Sequence, residues 1–189
     1  MPHRLFAALL PPEAVLDELV RFLEPRWDAD TPWRFTRPET WHITLAFLAA
    51  VPETRIDPLV ESLAEVRGRR VPLLVGGGVA FPDALRARVL GLGVGPDDEP
   101  VARLAGAVRR ACNRAGVEAD GARFHAHLTV ASASKPQPAP RWMDLFDTFE
   151  SSPWIGSEFV LIESHLGEGP RGTPRYEVVE RFPFPDDPR

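Results

Sequence analysis

One cysteine, Cys112, stands in 189 residues. That scarcity excludes an intrachain disulfide framework and a cysteine-based zinc site. Lysine is equally rare. Lys135 is the only one, and the other basic side chains are arginine, the better planar, bidentate partner for a phosphate. Long apolar runs are missing too: the N-terminal "RLFAALLPP" is broken by Pro11 and Pro12 too soon to be a signal-peptide core or a membrane span. The expectation is therefore a cytoplasmic protein without a membrane partner. Nor is there an excess of positive charge. A formal net charge of −5 argues against a broad, sequence-independent grip on long nucleic acid, which rests on many Lys and Arg neutralising phosphates. A small local basic pocket is still allowed.

What is present fits a folded protein. The chain is 44% hydrophobic and 26% charged, and it is long enough to bury a core as one domain or two closely packed lobes. Its 21 prolines sit mainly between apolar segments, where they punctuate loops. Leu5 to Leu10 predicts a buried strand, and Val15, Leu16, Leu19, Val20 and Leu23 recur at helical spacing until Pro25. After a Trp- and Pro-rich loop over 25–39, Trp41 to Leu48 predicts a strand and Ile56 to Ala64 a second amphipathic helix. Two strands, "VPLLVGGGVAF" and "ARVLGLGV", surround a turn near Pro82 and Asp83. A third helix runs from about Pro100 to Ala115, with Gly116 as its stop signal. Beyond the Pro-rich "SKPQPAPRW", "SEFVLIESHL" and "RYEVVERFPF" predict strands joined by the turn "GEGPRGTP". Without a regular βαβ rhythm the class is α+β.

Two segments nearly repeat each other: "TWHITLAFLA" and "FHAHLTVASA". Chance would place a Thr two residues after a His about 0.2 times in a chain of this composition, so one match is weak and two, each in the same apolar setting, are not. On a strand, His42 and Thr44 share one face, as do His127 and Thr129, with about 7 Å between imidazole and hydroxyl along the strand. Each segment follows an amphipathic helix roughly half a chain apart, which suggests two similar lobes. If the two strands line opposite walls of a cleft, two imidazoles and two hydroxyls point inward. An imidazole titrates near pKa ~6.5, so one neutral and one protonated ring supply a general base and a general acid together. The hydroxyls donate to the non-bridging oxygens of a phosphate.

At these residues the sequence resembles the 2H phosphoesterase superfamily, and within it the RNA 2′,3′-cyclic phosphodiesterases also called 2′-5′ RNA ligases. The resemblance extends to "RLFAALLPPEAV", "ARVLGLGV" and "LIESHLGEGPRGTPRYEVVERFPF". It implies a single bilobal domain over 1–189, α+β, with two pseudo-symmetric lobes of antiparallel strands and flanking helices around a central cleft. It implies no cofactor and no metal, a monomer, and RNA ends or small nucleotides carrying a 2′,3′-cyclic phosphate as partners. The implied reaction is hydrolysis to the 2′-phosphomonoester, with reversible 2′-5′ ligation as a side activity. His42 would be the acid, His127 the base, and Thr44 and Thr129 the phosphate ligands. Three positions depart from the family's habit: Ala126 stands for a proline, Ser132 for an arginine and Gly91 for a large aromatic.

Rival readings keep the superfamily but change the substrate to 2′-5′ oligonucleotides or an ADP-ribose cyclic phosphate, or keep the cleft and lose turnover, leaving a nucleotide-binding module. Another rival is a metal held by His42, His125 and His127, although it leaves both threonines unexplained. His3 and His165 read as surface residues. Trp33, Phe35 and Trp41 suit core packing better than stacking on a base, and Arg86, Arg88 and Arg123 are candidates for the basic pocket. Gly76 to Gly78 lacks the spacing of a phosphate loop and predicts a bulge or turn.

Overall fold

The computed structural model describes residues 2–27, 30–121 and 123–185. Part of the loop expected over 25–39, residues 28 and 29, lies outside them. In chain order the elements are β1 (His3–Leu9), α1 (Glu13–Leu23), β2 (Arg34–Phe35), β3 (Ile43–Val51), α2 (Ile56–Ala64), β4 (Val71–Phe81), β5 (Ala87–Gly95), α3 (Glu99–Arg114), β6 (His127–Gln137), α4 (Pro140–Phe146), β7 (Trp154–Gly156), β8 (Glu158–His165) and β9 (Arg175–Pro183). The helices form where apolar residues recur at three- and four-residue spacing: Val15, Leu19 and Leu23 on α1, Leu59 and Leu63 on α2, and Val101, Leu104, Ala105, Val108 and Cys112 on α3 are buried. Gly116 ends α3 in the left-handed region, at φ +72°, where a side chain would be strained. A bulge interrupts β4 between Gly76 and Gly78, as expected.

The strands assemble in the order β7-β4-β5-β6-β3-β1-β8-β9, all neighbours antiparallel, with β2 attached to β6 beside this path. Two arms, β7-β4-β5-β6 and β3-β1-β8-β9, mirror each other in connectivity. The succession β1-α1-β3-α2-β4 is repeated as β5-α3-β6-α4-β8, and the last strand of each repeat pairs in the other repeat's arm: β4 with β5, β8 with β1. The α+β bilobal class read from the sequence is this arrangement. Side chains of all four helices share one buried cluster with one face of the sheet. Among the described residues the opposite face carries a small apolar cluster, Phe6, Ala8, Val160 and Ile162 with Phe47 and Tyr176 against it.

The arms meet at one backbone pair, Ile43 with Leu128. Both side chains are fully buried in the helix-side core. Each strand then makes the same irregularity. Thr44 pairs Ala8 and Ala46 pairs Ala7, skipping Leu45; Thr129 pairs Gly91 and Ala131 pairs Leu90, skipping Val130. A bulge of this kind puts two consecutive residues on the core side, and Leu45, Ala46, Val130 and Ala131 are all buried. Phe47 and Ser132, the next residues, therefore return to the open face.

Three elements were not legible in the sequence. β2 is two residues long and β7 three, too short for a periodicity to register. The Pro-rich "SKPQPAPRW" read as a break, yet β6 runs on to Gln137 and α4 begins at Pro140, a residue suited to the first helical turn, where its missing N–H costs nothing. Leu128→Ala removes a fully buried side chain at the junction of the arms and is expected to lower stability by about 2–5 kcal/mol. Leu166→Ala, at a position 63% exposed, should stay within about 0.5 kcal/mol; urea unfolding of both variants measures the contrast.

Candidate active site

The Ile43–Leu128 pair brings the two His-x-Thr segments together. A local twofold axis through this pair carries β3 onto β6, hence His42 onto His127 and Thr44 onto Thr129. Carried one residue either way, the antiparallel register sets His42 across from Thr129 and Thr44 across from His127. Because Ile43 and Leu128 point into the core, the four polar side chains share the open face, and all four are half-buried. The sequence suggested opposite walls of a cleft. In the structure the two strands are neighbours in one sheet that touch at a single pair.

Each imidazole is fixed in the same way. The Nδ1 atom of His42 lies 2.6 Å from the Thr40 carbonyl oxygen and that of His127 lies 2.8 Å from the His125 carbonyl oxygen. A carbonyl only accepts, so Nδ1 carries a hydrogen in both rings, and Nε2 is left to gain or lose a proton. Aromatic rings brace the imidazoles: Phe6 and Tyr176 lie 4.6 Å and 5.6 Å from His42, centroid to centroid, and Phe81 lies 4.6 Å from His127. Burial by these neighbours is the main force holding both rings below the ordinary histidine value. The carbonyl bonds oppose it, while charge on His127 lowers His42 further and charge on His125 lowers His127. The sequence expectation of one neutral and one protonated ring at pH 7 is thereby shifted: without a bound anion, both lean to the neutral form. Since a proton on His127 disfavours one on His42, the two titrate as a coupled pair.

Other sequence candidates fall elsewhere. His125 is exposed and precedes β6; it lends its carbonyl to His127 and its ring lies 5.9 Å from Phe81. Among the described residues no three His, Cys, Asp or Glu side chains gather in a metal-holding group. His3 is not merely a surface residue: it bonds Glu163 at 2.6 Å and Glu53 at the head of β1, and Glu163 first, then Glu53, raises its pKa. His165, also read as surface, is half-buried, with Glu177 at 3.5 Å. Trp33 and Trp41 are buried core residues, and Phe35 packs edge-on to Trp142. Of the basic candidates, Arg86 pairs with Asp83, and Arg88 donates to the Ser134 carbonyl at 2.7 Å. Arg123 is exposed. At Gly91 a Cβ would stand 2.7 Å from the Leu128 carbonyl oxygen, a backbone atom of the junction that cannot swing aside, so here the small residue is required by the strands' close approach.

Sequence reasoning missed a polar tie between the two segments. The Trp41 indole N–H donates to Thr36 Oγ1 at 2.8 Å, and the Thr36 hydroxyl is directed at the carbonyls of Val130 at 3.0 Å and Thr129 at 3.1 Å. Trp41 adjoins His42, so one hydroxyl links a side chain next to the first motif with the backbone of the second. No local pattern signals it, because its partners lie more than ninety positions apart in sequence. Thr36→Val keeps the shape and leaves a buried indole N–H unpaired; a loss of about 1–3 kcal/mol is expected, read from the urea midpoint.

The chain is similar to known phosphoesterases. Residues 9–91 match the family model described as LigT like Phosphoesterase. The chain is 30% identical over 158 residues to the RNA 2′,3′-cyclic phosphodiesterase of Geobacillus stearothermophilus, covering 81% of this chain and 48% of that protein. It is 29% identical over 151 residues to the RNA 2′,3′-cyclic phosphodiesterase of Bacillus subtilis, covering 79% of each. The chain thus spans about half the length of the first relative and most of the second. Among solved structures, E. coli LigT in apo form superposes with a TM-score of 0.75 at 23% identity over 97% of this chain and 98% of that one. The E. coli LigT complex with 3′-AMP gives 0.73 at 24% identity over the same shares. At that identity the likeness establishes the fold.

Proposed function

The chain belongs to the LigT-like phosphoesterase family, and from that premise we propose that it hydrolyses 2′,3′-cyclic phosphates at RNA ends or on small nucleotides to 2′-phosphomonoesters. The observation that carries the reading is the twofold pairing of the motifs, which presents two imidazole Nε2 atoms and two threonine hydroxyls from one face. Support for the substrate comes from the relatives' names as RNA 2′,3′-cyclic phosphodiesterases.

His127 Nε2 takes a proton from water as its oxygen attacks phosphorus. The P–O3′ bond breaks, and His42 Nε2–H delivers its proton to the departing O3′, leaving the 2′-phosphate. Thr44 and Thr129 donate to the non-bridging oxygens, whose charge grows in the transition state. A nucleotide 5′-OH attacking in place of water gives 2′-5′ ligation with the same roles, and the twofold relation suits the reverse of that step, 2′-5′ cleavage, in which the two imidazoles exchange roles. The reading covers the chain as one bilobal domain acting as a cytoplasmic monomer without cofactor.

In excess EDTA, phosphorus NMR should show a 2′-phosphate product from 2′,3′-cyclic AMP and from a short RNA ending in a 2′,3′-cyclic phosphate. His42→Ala and His127→Ala should each lower kcat by about 10² or more. Activity abolished by EDTA and restored by zinc would replace this mechanism with a metal one, and a cyclic nucleotide bound without turnover would leave a binding module.

The pH dependence follows from the two depressed imidazoles. Catalysis needs one protonated and one neutral ring, and both free-enzyme pKa values lie below the ordinary 6.5. Protonating both rings removes the base at low pH; deprotonating both removes the acid as pH rises. The kcat/KM profile should be a bell whose maximum lies below pH 6.5, since kcat/KM reports the free enzyme. A maximum above pH 7 would contradict the assignment.

A further inference from the structure

The proposed reaction handles an anion, yet the four motif side chains supply no fixed positive charge. We propose that Arg34 binds a second phosphate of the substrate, the phosphodiester one nucleotide upstream of the cyclic end, and so makes the protein prefer RNA ends to cyclic mononucleotides. This rests on the phosphodiesterase reading above.

Four observations lead to Arg34. It pairs directly with Ser132 in the β2–β6 ladder, and partners in such a ladder project to the same face. Ser132 lies just past the bulge on the open face, the face of His127 and Thr129, whereas the flanking residues Trp33 and Phe35 pack into the helix-side core. Arg34 is exposed, and no described side chain or carbonyl engages its guanidinium. Two other arginines of the neighbouring strands are already engaged: Arg4 on β1 lies 4.3 Å over the Phe47 ring, and Arg88 on β5 bonds the Ser134 carbonyl. Finally, β2 is pinned. Thr36, two residues on, bonds the Thr129 and Val130 carbonyls, so Arg34 keeps a set distance from the Thr129 hydroxyl.

Position selects the second phosphate over the first. The reacting phosphate belongs at the Ile43–Leu128 junction, between the two hydroxyls. Ser132 is three residues along β6 from Thr129, about 10 Å by strand rise less what the bulge takes up, and Arg34 is one strand further over. A guanidinium reaching back from there meets the chain beside the reacting group. Its planar fork suits two phosphate oxygens at once.

Steady-state kinetics on two substrates tests this: 2′,3′-cyclic AMP, with a single phosphate, and an adenosine dinucleotide ending in a 2′,3′-cyclic phosphate, with two. For Arg34→Gln the expected result is a KM for the dinucleotide raised at least about fivefold with kcat retained, and a KM for cyclic AMP within about twofold of wild type. Arg34→Lys should fall between. The salt dependence of log KM for the dinucleotide should flatten by about 0.7 in slope, the loss of one single-strand phosphate contact. Arg103→Gln, at an exposed position on α3, serves as the control. Equal effects on both substrates would move Arg34 to the reacting phosphate and overturn the proposal, as would no effect on either. If wild type turns over neither substrate, the phosphodiesterase reading itself fails. Binding of a fluorescent 2′-phosphorylated dinucleotide to wild type and Arg34→Gln then still decides the contact, equal affinities overturning it.

Discussion

Everything functional in this fold depends on one pair of residues, Ile43 and Leu128, where the two arms of the sheet touch. An antiparallel pair is itself twofold symmetric, so placing equivalent positions of two repeats opposite one another makes the whole surroundings symmetric. Had the contact been offset by one residue, the strand alternation would have turned one motif into the helix-side core. Burial of both aliphatic side chains at the junction resists that slip, because it would expose one of them and bury an imidazole and a hydroxyl in its place. The register is thus selected by hydrophobic burial on one face, and the polar constellation on the other face is its consequence.

The exchange of third strands has a related effect. Because β4 pairs with β5 and β8 with β1, each arm contains chain from both repeats, and neither repeat can complete its sheet alone. The junction therefore need not hold the arms together by itself. Repeats joined only by one backbone pair would hinge there; reciprocal strand exchange and a helix-side core common to both arms oppose that motion. Precise placement of two imidazoles is compatible with a nearly bare contact between their strands only because the rest of the sheet supplies the stiffness.

Legibility in the sequence tracked locality. The helices and most long strands announced themselves by spacing, and the His-x-Thr pattern by repetition, since alternation is a property of neighbouring residues. The face shared by His42 and Thr44 followed directly. The relation between the motifs did not: facing walls and adjacent strands put the same residues inward, and nothing local distinguishes them. The tie from Trp41 through Thr36 to Thr129 was invisible for the same reason, as was β2, whose two residues carry no period. Trp33 and Trp41 were read as core residues from their type and setting, and they are. His3 was misjudged because its carboxylate partners, Glu53 and Glu163, come from elements distant in sequence.

Symmetry in the backbone does not extend to the side chains beyond the motifs, and the difference is chemical. On the β3 side, the residue past the bulge is Phe47, set in an apolar patch with Phe6, Ala8 and Tyr176. On the β6 side the matching position is Ser132, paired with Arg34 on β2 and with Val89 on β5. At these matched positions one flank of the twofold axis carries an aromatic ring beneath Arg4, the other a small hydroxyl beside Arg34. A symmetric pair of imidazoles cannot by itself distinguish the two ester oxygens of a cyclic phosphate, because rotating the reacting group about the axis exchanges them. Discrimination has to come from what flanks the axis, and unlike flanks, a large ring on one side and a small hydroxyl with an exposed arginine on the other, would give the nucleotide of the proposed reaction one preferred orientation over the other.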